Sequence, residues 1–183
     1  MILLKRNARR LDLRWMSALM TVLALMTVSA PLPVGAQDIK RLGKFDNWRA
    51  FTYEENGSPV CYMASEPLTE EGDYSSRGDV YAMVTHHVGR GTSDVVSFVI
   101  GYPFKKQSRV TVDIDGKKFT LFTHKDTAWA ADKKTDRALV RAMIRGREMV
   151  VKGVSRRGTE TADSYSLIGF TDAHRAIDQA CDE

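Results

Sequence analysis

The stretch RVTVDIDGKKFTLF, residues 109–122, constrains the fold more than any other. Val110, Val112 and Ile114 alternate with polar residues, which is typical of a strand with one buried face. Asp115 and Gly116 then supply a two-residue turn in which both residues need a positive φ. We therefore predict a β-hairpin here. Similar short strands recur at hairpin spacing along the chain, which favours an antiparallel sheet over a parallel α/β fold.

The remaining pattern predicts a mainly β single domain, an antiparallel sandwich or barrel-like sheet of seven or eight strands with one inserted helix and a short C-terminal helix. Further strands are predicted over residues 47–54, 60–65, 80–88, 94–104, 148–156 and 159–169. The polar stretch 66–79 is predicted to be a loop, and the lead-in 38–44 is assigned no strand.

Two segments change to helical periodicity. The inserted helix has Asp132 or Thr135 as its N-cap and Gly146 as its C′ residue. Its apolar stripe is Leu139, Val140, Met143 and Ile144. The final helix is predicted to begin at Thr171, and its apolar face is Ala173, Ala176, Ile177, Ala180 and Cys181.

Residues 1–36 are predicted to be a secretory signal peptide. A basic leader precedes the uncharged apolar run Met16–Val28, and small residues follow up to Ala36. An uncleaved anchor is the alternative, although the run is shorter than the roughly 20 residues that cross a bilayer. Arg9 and Arg10 fit either a Sec-type or a twin-arginine signal. The domain 37–183 would then carry 22 basic and 22 acidic residues, which gives no support for nucleic-acid binding.

Cys61 and Cys181 are the two cysteines of the chain. An exported protein enters an oxidising compartment, so we expect one disulfide between them. Two free buried thiols are the alternative. The disulfide would hold the terminal helix, with Cys181 on its inner face, onto the domain.

The sequence carries no familiar catalytic or metal-binding motif, so no cofactor, metal or catalytic residue is assigned. The stretch Gly89–Asp94 lacks the third glycine of a dinucleotide-binding loop and is interpreted as a hairpin loop. His86 and His87 would point to opposite faces of a strand, and His124 and His174 have no spacing that demands a metal. We interpret all four histidines as structural or surface residues.

One helix face concentrates positive charge. Arg137, Arg141 and Arg145 repeat at four-residue spacing, with Lys133 and Lys134 just before them. A solvated helix side is the simpler interpretation. The alternative is a contact with anionic groups such as lipopolysaccharide phosphates or acidic lipid headgroups, which the turn at Arg156-Arg157 would extend if it lay nearby.

The C-terminal third, ALVRAMIRGREMVVKGVSRRGTETADSYSLIGFTDAHRAIDQAC, resembles the invasion associated locus B family of exported bacterial proteins. FDNWRAF and VCYM near residue 50 resemble the opening strands of that family. One departure is that this chain has Phe51-Thr52-Tyr53 where the family pattern carries a further cysteine, so the disulfide is inferred here from the cysteine count. The resemblance implies a periplasmic or outer-envelope β protein without established catalysis, in a family named for host-cell entry.

Together these features predict an exported, non-enzymatic binding or structural protein of the periplasm or outer membrane, associated with host-cell invasion. Its expected partner is an envelope component or a host-cell surface, with no nucleic acid and no membrane span after cleavage. The alternative is a small periplasmic hydrolase that uses a histidine with an acidic partner, which would require a concave pocket around His86, His87 or His124. An exposed sheet edge could instead serve a chaperone or inhibitor.

Overall fold

Eleven strands, two α-helices and one short 3-10 helix (Val88–Arg90) lie within residues 38–182, the part of the chain that this computed structural model describes. The predicted signal peptide, residues 1–36, lies outside the described residues. The strands are β1 (Lys40–Phe45), β2 (Trp48–Glu55), β3 (Ser58–Ser65), β4 (Thr69–Gly72), β5 (Val80–His87), β6 (Thr92–Ile100), β7 (Arg109–Ile114), β8 (Lys117–His124), β9 (Thr127–Trp129), β10 (Glu148–Val154) and β11 (Glu160–Ser166); the helices are α1 (Lys133–Arg145) and α2 (Phe170–Cys181).

All strands join one antiparallel sheet in the order β1-β2-β3-β5-β6-β9-β8-β7-β10-β11-β4. The prediction of a mainly antiparallel β fold is confirmed. The sheet is not closed, because β1 and β4 are its two edges. The predicted hairpin is present as β7 and β8, and Asp115 and Gly116 have φ values of 47° and 90° as its turn requires.

The two halves of the sheet share one apolar core. The indole of Trp48 in β2 donates to the carbonyl of Ser166 at the end of β11, at 3.0 Å. The rings of Phe98 in β6 and Tyr165 in β11 meet edge to face with centroids 6.5 Å apart. Because these contacts join early and late strands, the sheet wraps around its core in a sandwich-like manner.

Three strands lie where none was predicted. β1 lies in the polar lead-in, β9 has only three residues, and β4 occupies part of the stretch predicted as a loop. Every residue of β4 is exposed, so no apolar alternation marks it, and it is a strand because its backbone pairs with β11. In the predicted hairpin loop Gly89–Asp94, the last three residues already belong to β6.

Both helices differ from prediction at their ends. Asp132 caps α1 by accepting from the amide of Thr135, but Gly146 has a φ of −82° and is not left-handed. A glycine is needed at position 146 because a Cβ there would lie 2.7 Å from Ile114 and 2.8 Å from Leu167. Ile144 is exposed, whereas Leu139, Val140 and Met143 are buried as predicted.

Helix α2 begins at Phe170, one residue before the predicted Thr171, with Gly169 as its N-cap. Gly169 has a φ of 88°, and a Cβ there would lie 2.0 Å from the carbonyl oxygen of Phe45. The close approach to β1 therefore fixes where this helix starts. Within residues 38–182, neither helix has the length and apolar character needed to cross a membrane.

Candidate functional site

A disulfide joins Cys61 in β3 to Cys181, the last residue of α2. Cys61 is fully buried and Cys181 nearly so, and the apolar face of α2 that carries Cys181 also buries Ala173 and Ile177. The pairing is the one expected from the cysteine count. It ties the terminal helix to the centre of the first half of the sheet.

Beside the disulfide lies a network of two histidines and two carboxylates, which we call the His174 network: His86, Asp94, His174 and Asp178. His174 in α2 contacts Asp94 Oδ1 through Nε2 at 2.7 Å and Asp178 Oδ2 through Nδ1 at 3.0 Å. Because both ring nitrogens face carboxylates, these contacts favour the doubly protonated imidazolium form of His174. Burial works to lower the pKa of His174, but its contacts with Asp94 and Asp178 outweigh burial and raise that pKa. The hydrogen bond from His174 lowers the pKa of Asp94.

His86 completes this network from β5. Its Nδ1 accepts a hydrogen bond from the backbone N–H of Asp94 at 3.0 Å, so the ring proton of the neutral form lies on Nε2. Nε2 contacts Asp178 Oδ1 at 2.9 Å and donates to it. His86, His174 and Asp178 are close enough to hold a metal ion, with ligand atoms within 4.8 Å of one another. A metal on either ring would have to displace these donated protons, so the hydrogen bonds favour an ion-pair network over a metal centre.

The other two histidines lie apart from this network. His87 points to the opposite face of β5 from His86, as predicted, and its Nε2 contacts Glu55 Oε2 at 2.5 Å. His124, at the end of β8, is exposed. Sequence reasoning did not connect His174 with Asp178, although their four-residue spacing on one helix was the available signal.

The basic face predicted on the inserted helix is exposed on α1. We define the basic face as Lys133, Lys134, Arg137, Arg141 and Arg145, all five of which are exposed. None of the five forms a salt bridge with another described residue. On the opposite side of α1, Asp136 is buried and accepts from the amide of Val96 in β6 at 2.9 Å, which fixes the helix on the sheet. The five cations are therefore exposed and are not neutralised by a salt bridge within the described residues.

The turn Arg156-Arg157 does not extend this face. The amide of Arg156 donates to the carbonyl of Pro103, after the end of β6, whereas Lys133 at the start of α1 contacts the carbonyl of Gly91, before the start of β6. The turn instead lines a cleft of about 600 Å³ together with Tyr74, Arg77 and Tyr102. No histidine lines this cleft.

Arg77 in the wall of this cleft is paired within the protein. Its Nη1 and Nη2 donate to the two carboxylate oxygens of Asp163, each at 2.6 Å, and its Nε donates to the carbonyl of Ile100 at 2.7 Å. The two charged side chains are 3% and 1% exposed. Burial works to lower the pKa of Arg77, and Asp163 more than offsets it, so that pKa is raised. The pair anchors the segment before β5 to β11, and no local pattern could predict it because 86 residues separate the partners.

Comparison with known proteins agrees with this fold. The sequence matches the family described as Invasion associated locus B (IalB) protein over residues 48–178. Among solved structures, the chain is similar to invasion associated protein B from Bartonella henselae, with a TM-score of 0.55 and 15% sequence identity over 81% of this chain and 99% of that one. No curated protein matches the sequence. At this identity the structural similarity shows a shared fold.

Proposed function

The chain belongs to the invasion associated locus B family, and from this membership we propose that it is a non-enzymatic binding protein of the bacterial cell envelope that contacts anionic envelope groups through the basic face. Its predicted leader and its Cys61–Cys181 disulfide support export to the periplasm or outer membrane. The family and the similar Bartonella protein are both named for invasion, so we extend the proposal to host-cell entry.

The basic face is the observation that carries this proposal. Five exposed cations on one helix, none of them paired with a described carboxylate, give a concentrated positive surface on a domain whose total charge is balanced. Such a surface attracts phosphates and acidic headgroups, and the attraction falls as salt rises.

The experiment compares two triple variants that each remove three positive charges. R137Q/R141Q/R145Q changes the basic face, and K105Q/R156Q/R157Q changes exposed cations at the opposite end of β10. Sedimentation with isolated envelope fractions at low salt should fall for the first variant and stay near wild type for the second. Equal binding by wild type and the first variant would exclude this face as the contact.

The role in invasion has its own test at the level of the cell. A strain that lacks the gene is compared with its parent for envelope integrity and for entry into host cells. Reduced entry with an intact envelope supports the invasion role, and a leaky envelope without an entry defect supports envelope maintenance instead.

A hydrolase has less support from the geometry. His86 and His87 do lie beside carboxylates, as that alternative requires. However, His86 is only 1% exposed and its two ring nitrogens are already hydrogen bonded within the protein, so a substrate would not reach it. The cleft of about 600 Å³ has no histidine among its lining residues.

A further inference from the structure

We propose that the anionic partner of the basic face is the surface of a phospholipid bilayer, and that Ile144 and Ile168 insert among its headgroups. This inference rests on the proposed function and names its partner. It follows from exposed apolar side chains that the fold places beside the cationic end of α1.

Ile144 and Ile168 are 40% and 61% exposed, and they are two of six large hydrophobic side chains exposed within residues 38–182. Ile144 lies near the end of α1 and Ile168 lies between β11 and α2, and hydrogen bonds connect these two segments. The amide of Leu167 donates to the carbonyl of Arg147 at 2.9 Å, and Thr171 Oγ1 donates to the carbonyl of Ile144 at 3.5 Å. The residues between β11 and α2 therefore run along the end of α1, and Ile168 belongs to this short connection.

Positive groups lie close to Ile144 on α1. Arg141 and Arg145 lie three residues before and one residue after Ile144 on α1. Arg145 also lines a shallow pocket of about 280 Å³ whose opposite side carries Lys117. A headgroup phosphate placed there would meet these two cations and the carboxylate of Asp115.

Four acidic groups lie near this end of α1: Asp46 beside Gly169, Asp115, Glu148 and Asp172. The two carboxylate oxygens of Asp115, in the wall of the same pocket, accept the backbone N–H groups of Arg147 at 2.9 Å and Glu148 at 3.3 Å. Asp172 near the start of α2 forms a salt bridge with Arg175 at 3.0 Å. Of these four carboxylates only Asp172 is neutralised by a salt bridge, so the exposed cations Arg141, Arg145, Arg147 and Lys117 outnumber the remaining acidic groups by one.

A bilayer is the partner that would contact both the cations and the exposed isoleucines. Free phosphate or a soluble polyanion would need only the cations, and an apolar protein groove would need only the isoleucines. Proteins that attach to the membrane interface combine aliphatic side chains, which enter the headgroup region, with Lys and Arg, which meet anionic lipids. The juxtaposition of Arg141 and Arg145 with two exposed isoleucines has this composition.

The cations and the isoleucines should contribute differently to the binding affinity, both in size and in salt dependence. Each cation near an anionic surface strengthens binding about fivefold, so removing three should weaken it by about 100-fold at low salt. Burying the exposed parts of two isoleucines should strengthen binding by about 10-fold. Salt at about 0.5 M screens the first contribution and leaves the second.

The test measures cosedimentation with vesicles of phosphatidylglycerol and phosphatidylcholine in equal parts, and with vesicles of phosphatidylcholine alone. The protein is expressed from its full sequence, and its intact mass establishes whether residues 1–36 have been removed. The isoleucine variant is I144S/I168S, with I144A/I168A as a milder form. The control L68S/F122S changes two hydrophobic side chains with the same exposed fractions, 61% and 40%, at other places. Thermal unfolding verifies that each variant is folded.

Wild type should bind the anionic vesicles, and I144S/I168S should lose about 10-fold in affinity while L68S/F122S loses little. If wild type does not bind them, or if the isoleucine variants match the control, the inference is overturned. Displacement by inorganic phosphate beyond that of sodium chloride at equal ionic strength would also overturn it, in favour of a simple anion site. The proposed function fails separately, when R137Q/R141Q/R145Q binds envelope fractions as well as wild type does.

Discussion

The buried pair Arg77–Asp163 should dominate the stability of the segment that precedes β5. Arg77→Met removes two charge-assisted hydrogen bonds of 2.6 Å and leaves the carboxylate of Asp163, which is 1% exposed, without its counter-charge. It also removes the donor to the carbonyl of Ile100. Breaking a buried pair by removing one partner costs about 3–5 kcal/mol, which is a large part of the 5–15 kcal/mol typical of a whole domain.

Urea unfolding of a double-mutant cycle measures this. Arg77→Met and Asp163→Leu should each lower the free energy of unfolding by about 3–5 kcal/mol. The double variant R77M/D163L should lose much less than the sum of the two, because neither charge then remains buried alone. The exposed pair Arg49–Glu66, with an N–O distance of 3.0 Å, is the control, and R49Q should cost no more than about 1 kcal/mol.

Two results would refute this reasoning. The first is a loss below about 1 kcal/mol for Arg77→Met, which would mean that water reaches Asp163 easily. The second is additivity of the two single changes within about 0.5 kcal/mol, which would mean that the two side chains do not stabilise one another.

Two further predictions concern the attachment of α2. The Cys61–Cys181 disulfide closes a loop of 120 residues, so its reduction should lower the free energy of unfolding by up to about 4–5 kcal/mol. An unchanged urea midpoint in the presence of reductant would show that packing alone holds α2 on the domain. Because the pKa of His174 is raised in the fold, its stabilising contribution is complete below the unfolded value of about 6.5 and is lost as the pH rises through the folded pKa. The unfolding free energy measured across this pH range should therefore fall by at most about 1.4 kcal/mol per pH unit. His174→Gln should flatten this slope, although the other groups that face the site remain: Asp94, Asp178, His86 and Arg137. An unaltered slope in this variant would contradict the assignment of the pH dependence to His174.

The sequence predicted the elements that bury an apolar face. The alternation of Val110, Val112 and Ile114 and the turn at Asp115-Gly116 specify their hairpin locally, and the structure shows it. The edge strands β1 and β4 have few or no buried side chains, so their backbone pairing left no periodic signal. The start of α2 depends on the close approach of Gly169 to Phe45, which are distant in sequence.

The candidate site was also predictable only where its residues are close in sequence. The basic face could be predicted because its cations repeat on one helix, and helical spacing alone places them together. Ile144 was assigned to the buried stripe of that helix, whereas it lies at the edge of the stripe and is exposed. Ile168 lies in the connection to α2, and the hydrogen bonds between this connection and the end of α1 exist only in the folded chain.

The bond between Cys61 and Cys181 also makes a covalent ring of everything between them. A protease that cuts once in an exposed connection, such as residues 73–79 before β5, opens the chain but releases no fragment, because both pieces stay joined through sulfur. Such a nicked molecule would migrate as one species on a gel without reductant and as two species with it. This ring would keep all strands of the domain joined covalently after a single cut.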